Sequence, residues 1–179
     1  MTSAIPQLLR DQALNGAVKH YTRDVIRAAA VKVQLLKPED RMESGMRESQ
    51  LRNVVNVAIG AHSVEEVAAF ILYQMGRSTN SRQWQYGKFG DGVVHDLMQG
   101  AVRMAATQAQ TMALQTIVAG KTEVTSEDAA DILDHAYIAL ARQYLGYLNR
   151  LFFFAEKTGR WEELREWNPA QPAEGGPTA

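Results

Sequence analysis

Cysteine is absent from all 179 residues, which removes disulfide frameworks, thiolate zinc sites, iron–sulfur clusters and thiol nucleophiles together. Long apolar runs are missing too. The longest strongly apolar stretch, Leu151 to Ala155, falls far short of the ~20 residues a membrane-spanning helix needs. Met1 to Arg10 lack the charged start and apolar run of a secretory leader. The expectation is a cytoplasmic protein with no membrane contact. Neither a G-x-S-x-G elbow, a Walker-type glycine–lysine loop nor a strand-to-helix dinucleotide fingerprint occurs. Gly87-x-x-Gly90-x-Gly92 is rich in glycine, but no strand precedes it and no phosphate-binding lysine follows. No cofactor is expected, and the chain does not read as an enzyme.

Net charge is nearly absent, at −1, and a near-neutral protein is an unpromising partner for a polyanion. The sum hides a division. Residues 1–90 hold 12 Lys/Arg and 8 Asp/Glu, and residues 91–179 hold 7 and 12, so the halves carry +4 and −5. Such asymmetry keeps nucleic acid open as a partner of the first half.

Period-two runs of β-branched residues are also lacking, while alanine and glutamine abound, which favours helix throughout. A first helix is predicted over about Gln7 to Leu36, weakened near Asn15-Gly16 and stopped by Lys37-Pro38. Ser49 is placed to cap a short second helix that ends at Gly60. Ser63-Val-Glu-Glu66 reads as a capping box for a third, in which Val64, Val67, Ala68, Ile71, Leu72 and Met75 recur at helical spacing. From Arg77 to Gly92 the pattern dissolves into Ser, Asn, Gln and Gly around Trp84, Tyr86 and Phe89, which predicts a long loop. A fourth helix is expected from about Asp91 to Ala119. A fifth, the longest, starts at Thr125-Ser-Glu-Asp128 and runs to about Lys157. Its 3-4 alternation of Ala130, Leu133, Tyr137, Leu140, Tyr144, Tyr147 or Leu148, and Leu151 is the seam of a helix packed lengthwise. Three consecutive phenylalanines, Phe152 to Phe154, cannot all face inward, so at least one should be exposed. The fold expected is a single all-α bundle of about five helices over residues 1–167, with a flexible tail over 168–179.

Basic residues supply the most coherent chemistry. Lys19, Arg23 and Arg27 stand at i, i+4 and i+8 and so form a stripe on one helix face. A stripe at that pitch can follow a phosphate backbone and release counterions at each contact. Arg47 and Arg52 follow at the second helix. Arg77, Arg82 and Lys88 are interleaved with Trp84, Tyr86 and Phe89, with no acid from Arg77 to Gly90. Cations beside rings suit a single strand or an irregular backbone. No base-reading motif is visible. Against this stands a histidine–aspartate set: His62, the doublet His95-Asp96, and Asp131 or Asp134 with His135. All-α metal-dependent phosphohydrolases of the HD type hold a water-activating metal with a His, a His-Asp doublet and a later Asp, which makes that enzyme the alternative. A structural helical adaptor without nucleic acid is a third reading.

The stretch Glu48-Ser-Gln-Leu-Arg-Asn-Val-Val-Asn-Val-Ala58, followed by Phe70-Ile-Leu-Tyr-Gln-Met-Gly-Arg77, resembles the small helical subunit of type III CRISPR effector complexes. Gln50 and Arg52 match its Ser/Thr-x-Gln-hydrophobic-Arg opening, and Tyr73 and Arg77 its later helix. Tyr147 to Ala155 looks like the aromatic closing helix of such subunits. The resemblance covers residues 45–90 and, more loosely, 130–160; the insert from Ser78 to Gly92 has no counterpart. It implies a non-catalytic protein that stacks in several copies beside backbone-forming CRISPR subunits and touches the guide and target RNA backbone, where base pairing carries the sequence information. Arg47, Arg52, Arg77, Arg82 and Lys88 are then the expected phosphate contacts, with Lys19, Arg23 and Arg27 beside them. Trp84 and Tyr86 are the expected stacking residues.

Overall fold

The structure is a computed structural model that describes residues 5–39, 44–77 and 81–167. Its helices are α1 (Gln7–Gln34), α2 (Glu48–Gly60), α3 (Val64–Gly76), the five-residue α4 (Ser81–Gln85), α5 (Phe89–Met98), α6 (Ala101–Ala119) and α7 (Ser126–Thr158). Two 3-10 turns, Tyr86–Lys88 and Glu162–Trp167, complete it, and the described residues contain no β-strand. The all-α expectation holds among the described residues, but with six helices of ten residues or more rather than five. None of the described helices is long and apolar enough to cross a membrane. The tail expected over 168–179 lies outside the described residues.

The three longest helices form the core. α1 and α7 run parallel: Arg10 pairs with Asp131 at one end, and Lys37, just past α1, pairs with Glu162 at the other. α6 lies antiparallel to α7. Its Gln110 amide donates to the Ala129 carbonyl at 2.7 Å, and the Arg103 guanidinium sits 4.8 Å from the Tyr137 ring centre. Much of the seam is alanine. Ala13, Ala17, Ala29 and Ala30 of α1 and Ala105, Ala106, Ala109 and Ala113 of α6 are buried, and short side chains let helix axes approach toward the close end of the usual 8–10 Å range. Larger residues of α7, among them Ile132, Leu140, Tyr144 and Leu148, fill the remaining space.

Helix ends are secured by identifiable groups. At α7 the Thr125 hydroxyl accepts from the Asp128 N–H at 3.1 Å, while the Asp128 carboxylate accepts from the Thr125 N–H at 3.0 Å. This is the capping box read from the sequence, and Gly159 in the left-handed region ends the helix. At α3 the Ser63 hydroxyl accepts from Glu66 N–H, but the Glu66 carboxylate takes the His62 N–H at 3.3 Å instead of closing a box on Ser63. At α2 the cap is not Ser49. The cap position is Arg47 and the helix begins at Glu48, two residues earlier than a Ser49 cap would set it, and the Gln50 side-chain oxygen accepts from the Arg47 N–H at 2.9 Å.

Of the segment expected to be a loop, residues 81–92 are helical, and 78–80 lie outside the described residues. α4, the 3-10 turn and the start of α5 occupy it, because its glycines serve close packing rather than mobility. A Cβ on Gly90 would lie 2.7 Å from Met75 Sδ and 2.9 Å from the Trp84 carbonyl oxygen. One on Gly87, at φ +53°, would lie 2.9 Å from the Leu35 carbonyl oxygen. Trp84 is 1% exposed and stacks at 5.7 Å on buried Phe89, an apolar anchor that makes this stretch part of the core.

The single fourth helix expected over Asp91 to Ala119 is broken at Gln99-Gly100. The Tyr137 hydroxyl donates to the Leu97 carbonyl at 2.5 Å and so satisfies one of the orphan carbonyls at the end of α5. The run of three phenylalanines behaves as expected: Phe152 is buried and Phe153 is 42% exposed.

Two glycine substitutions separate these roles. Gly16 lies exposed within an unbroken α1 with nothing within 4 Å of an added Cβ, so Gly16→Ala is expected to stabilise by about 0.5–1 kcal/mol through helix propensity. At Gly90 the same gain is opposed by overpacking worth about 1–3 kcal/mol, because the Trp84 carbonyl is backbone and cannot turn away. Gly90→Ala should therefore destabilise. Urea midpoints of the two variants, read against wild type, test both signs.

Candidate nucleic-acid interface

The His95-Asp96 doublet shows how little of the histidine–aspartate set is free to bind metal. Asp96 is buried, and Lys32 of α1 brings its ammonium to 3.1 Å from Oδ2. The Tyr144 hydroxyl of α7 donates to the same oxygen at 2.9 Å. Room for this meeting comes from two glycines. A Cβ on Gly92 would stand 3.0 Å from Lys32 Cδ, and one on Gly100 3.0 Å from Asp96 Oδ1. His95 Nδ1 is 3.8 Å from Asp96 Oδ1, its ring mostly in solvent. Asp131 is held by Arg10, and within its own helix His135 Nδ1 lies 2.8 Å from the Asp131 carbonyl oxygen. His62 is exposed at the α2–α3 junction. Among the described residues no three His, Asp or Glu side chains gather into a group that could hold a metal ion. The doublet is a structural knot joining α1, α5 and α7.

The cations divide into engaged and unengaged groups. Arg142 of α7 caps the end of α2, with Nε 2.9 Å from the Ala58 carbonyl and a terminal nitrogen donating to the Ile59 and Ala61 carbonyls at 3.2 and 3.1 Å. A positive charge there also complements the negative end of the helix dipole. The sequence pattern does not announce this role, for a lone arginine in the middle of a helix carries no signal of it. Arg10, Lys32, Lys37, Arg160 and Arg165 are likewise held by acids. Arg150 lies 5.2 Å from the Tyr147 ring centre.

Most of the expected phosphate contacts stand outside these internal arrangements. Lys19 and Arg23 are exposed on α1 and Arg27 is half-buried beside them. Together with His20, Asp24 and Met112 they line a groove of about 590 Å³. Arg47 is exposed at the start of α2 and lines a depression of about 410 Å³ with Gln83 and Trp161. Arg82 and Lys88 are exposed, and Lys88 has a left-handed backbone at φ 56°. Among the described residues none of these six has an acid within ion-pair distance. Two others are engaged locally: Arg52 pairs with Glu48 one turn back, and the Arg77 guanidinium lies 5.5 Å from the Tyr73 ring centre. The candidates do not form one patch, for the α1 stripe and the Arg47 depression are lined by different residues.

Of the two stacking candidates, Tyr86 is partly exposed, but Trp84 is enclosed in the core and offers no face to a base. The expectation of a stacking role for Trp84 is therefore corrected. The exposed tryptophan is Trp167, at 44%, brought beside Arg23 and Arg27 by the last 3-10 turn. Sequence spacing alone groups it with the core aromatics.

The motif residues of the CRISPR resemblance have local work as well. Gln50 caps α2, Leu51 is buried and Arg52 pairs within the helix. The chain matches no known family model, no curated protein and no solved structure.

Burial, and secondarily the Asp96 carboxylate, holds the Tyr144 phenol protonated well above its ordinary range near 10. Unfolding frees it to ionise, so stability present below pH ~10 should fall as pH rises beyond it. Tyr144→Phe removes one donor from a buried carboxylate, which is expected to cost about 1–3 kcal/mol at neutral pH and to flatten the alkaline decline. Urea unfolding of both proteins at neutral and alkaline pH measures each effect.

Proposed function

We propose that this chain is a non-catalytic helical subunit of a ribonucleoprotein assembly, of the kind the type III CRISPR small subunits represent, and that it contacts RNA backbone and neighbouring protein subunits. The observation that supports this reading is the division of the cations. Lys19, Arg23, Arg27, Arg47, Arg82 and Lys88 lie outside every ion pair among the described residues, while most of the remaining cations are tied into the fold. A cation without an intramolecular partner is free to take a phosphate, and phosphate contacts carry no sequence information.

Apolar surface supports the protein-contact half of the reading. Ile59, Leu72, Tyr73, Met104, Val118 and Phe153 are large and exposed on α2, α3, α6 and α7, where a neighbouring subunit could cover them. The charge division adds to it, with a basic first half turned to RNA and an acidic second half available to basic neighbours. The HD-type hydrolase is the weaker reading, since Asp96 is committed to Lys32 and Tyr144. An adaptor that never meets RNA is the outcome a negative result would favour.

Arg47→Ala with Arg82→Ala should weaken retention of two unrelated RNA sequences equally and lower the salt slope by about one for each phosphate no longer held. Arg160→Ala, whose side chain is held by Glu163, should leave both unchanged. Filter binding across a salt series decides it: equal retention and slope in the double variant and wild type would remove these residues from the interface.

A further inference from the structure

The 3-10 turn Glu162–Trp167 folds back along α1. Trp161 packs edge-on against Phe152 at 6.1 Å, Glu162 pairs with Lys37 at the end of α1, and buried Leu164 pins the turn to the bundle. From there the chain runs against the direction of α1 until Trp167 lies beside Arg23 and Arg27. These three, with Ile26 and Glu166, enclose a hollow of about 370 Å³. The same two arginines form one wall of the 590 Å³ groove that Lys19, His20, Asp24 and Met112 complete. The two hollows share Arg23 and Arg27; taken together as the α1 channel, they present the cations of α1 and, in the smaller hollow, an exposed indole.

Each part has a use toward the same ligand. Successive cations of the stripe are one helical step of about 6 Å apart, a pitch suited to successive phosphates of an extended strand. Trp167 offers a flat face to one base, and base–aromatic stacking tolerates any sequence. Asp24 and Glu166 also line the channel, but neither forms an ion pair with Lys19, Arg23 or Arg27 among the described residues. A duplex keeps its bases stacked on one another and presents none to an indole.

We infer that the α1 channel is a binding site for single-stranded nucleic acid, in which Trp167 stacks on a base while Lys19, Arg23 and Arg27 hold the adjoining phosphates. This rests on the RNA-backbone reading above and narrows it, to an unpaired strand and to a residue that sequence spacing groups with the core.

The protein carries its own probe. Of its 3 tryptophans, Trp84 and Trp161 are only 1% and 9% exposed against 44% for Trp167, so a stacked base quenches chiefly Trp167. A labelled oligouridylate is titrated into the full chain, with anisotropy and intrinsic emission followed together. A duplex RNA and an oligoglutamate of equal length are titrated in parallel. The inference predicts that quenching tracks the binding isotherm for the oligouridylate alone. Trp167→Ala should weaken binding about tenfold and abolish the quenching, and Trp167→Phe should restore the affinity. Arg23→Ala and Arg27→Ala should each reduce the salt slope by about 0.7. Binding with unchanged emission, and with wild-type affinity in Trp167→Ala, would overturn the channel while leaving the RNA reading intact. Equal binding of duplex would overturn single-strand preference, and equal quenching by oligoglutamate would assign the channel to an acidic protein segment. No binding of either RNA would remove the channel and the broader reading together.

Discussion

The fold turns on one buried carboxylate. Asp96 is buried, and a carboxylate taken out of water needs partners; it receives them from two helices distant in sequence, Lys32 of α1 and Tyr144 of α7. A buried ion pair contributes uncertain net stability, but removing one partner strands a charge, so it fixes geometry more firmly than it adds energy. The surrounding choices follow. Gly92 leaves space for the lysine stem, and Gly100 lets the chain turn close under the carboxylate. The break between α5 and α6 falls at that turn, and the Tyr137 hydroxyl, seven residues before Tyr144, takes the Leu97 carbonyl that the break frees.

Helix number and order were largely legible in the sequence, because α1, α3 and α7 are long or strongly periodic and their ends carry cap chemistry that reads locally. Residues 77–92 were not. Glycine stands both where a chain must move and where another chain must come close, and composition alone does not separate the two. Gly87 and Gly90 are of the second kind, pressed against the Leu35 and Trp84 carbonyls. The break at Gln99-Gly100 was hidden because a single glycine inside a helical pattern is often tolerated, and the Tyr137 hydroxyl that takes the Leu97 carbonyl there stands 40 positions away. For the candidate interface, the cation stripe on α1 followed from spacing, whereas the place of Trp167 depends on how a short turn folds back.

Sorting the cations by partner changes what the composition means. A net charge near zero arises here from two populations. One is used in helix caps and acid pairs, as Arg142 and Arg10 are. The other stands on the surface without a counter-charge among the described residues. Only the second is available to a polyanion. The same division explains why the histidine–aspartate pattern, plausible as a string of letters, does not assemble among the described residues: Asp96 is bound to a lysine, Asp131 to an arginine, and Asp134, the other candidate for the last position, is exposed.

The parallel course of α1 and α7 bears on how the chain reaches its native state. The pair that closes their far ends, Lys37 and Glu162, is 125 positions apart in sequence. α1 leaves the ribosome well before its main companion and must hold its alanine-rich face without α7 while the helices between them are made. Contacts of such long sequence separation slow folding, and the face they leave uncovered is open to wrong partners meanwhile. Small alanine side chains, in place of leucines, keep that waiting surface only weakly adhesive.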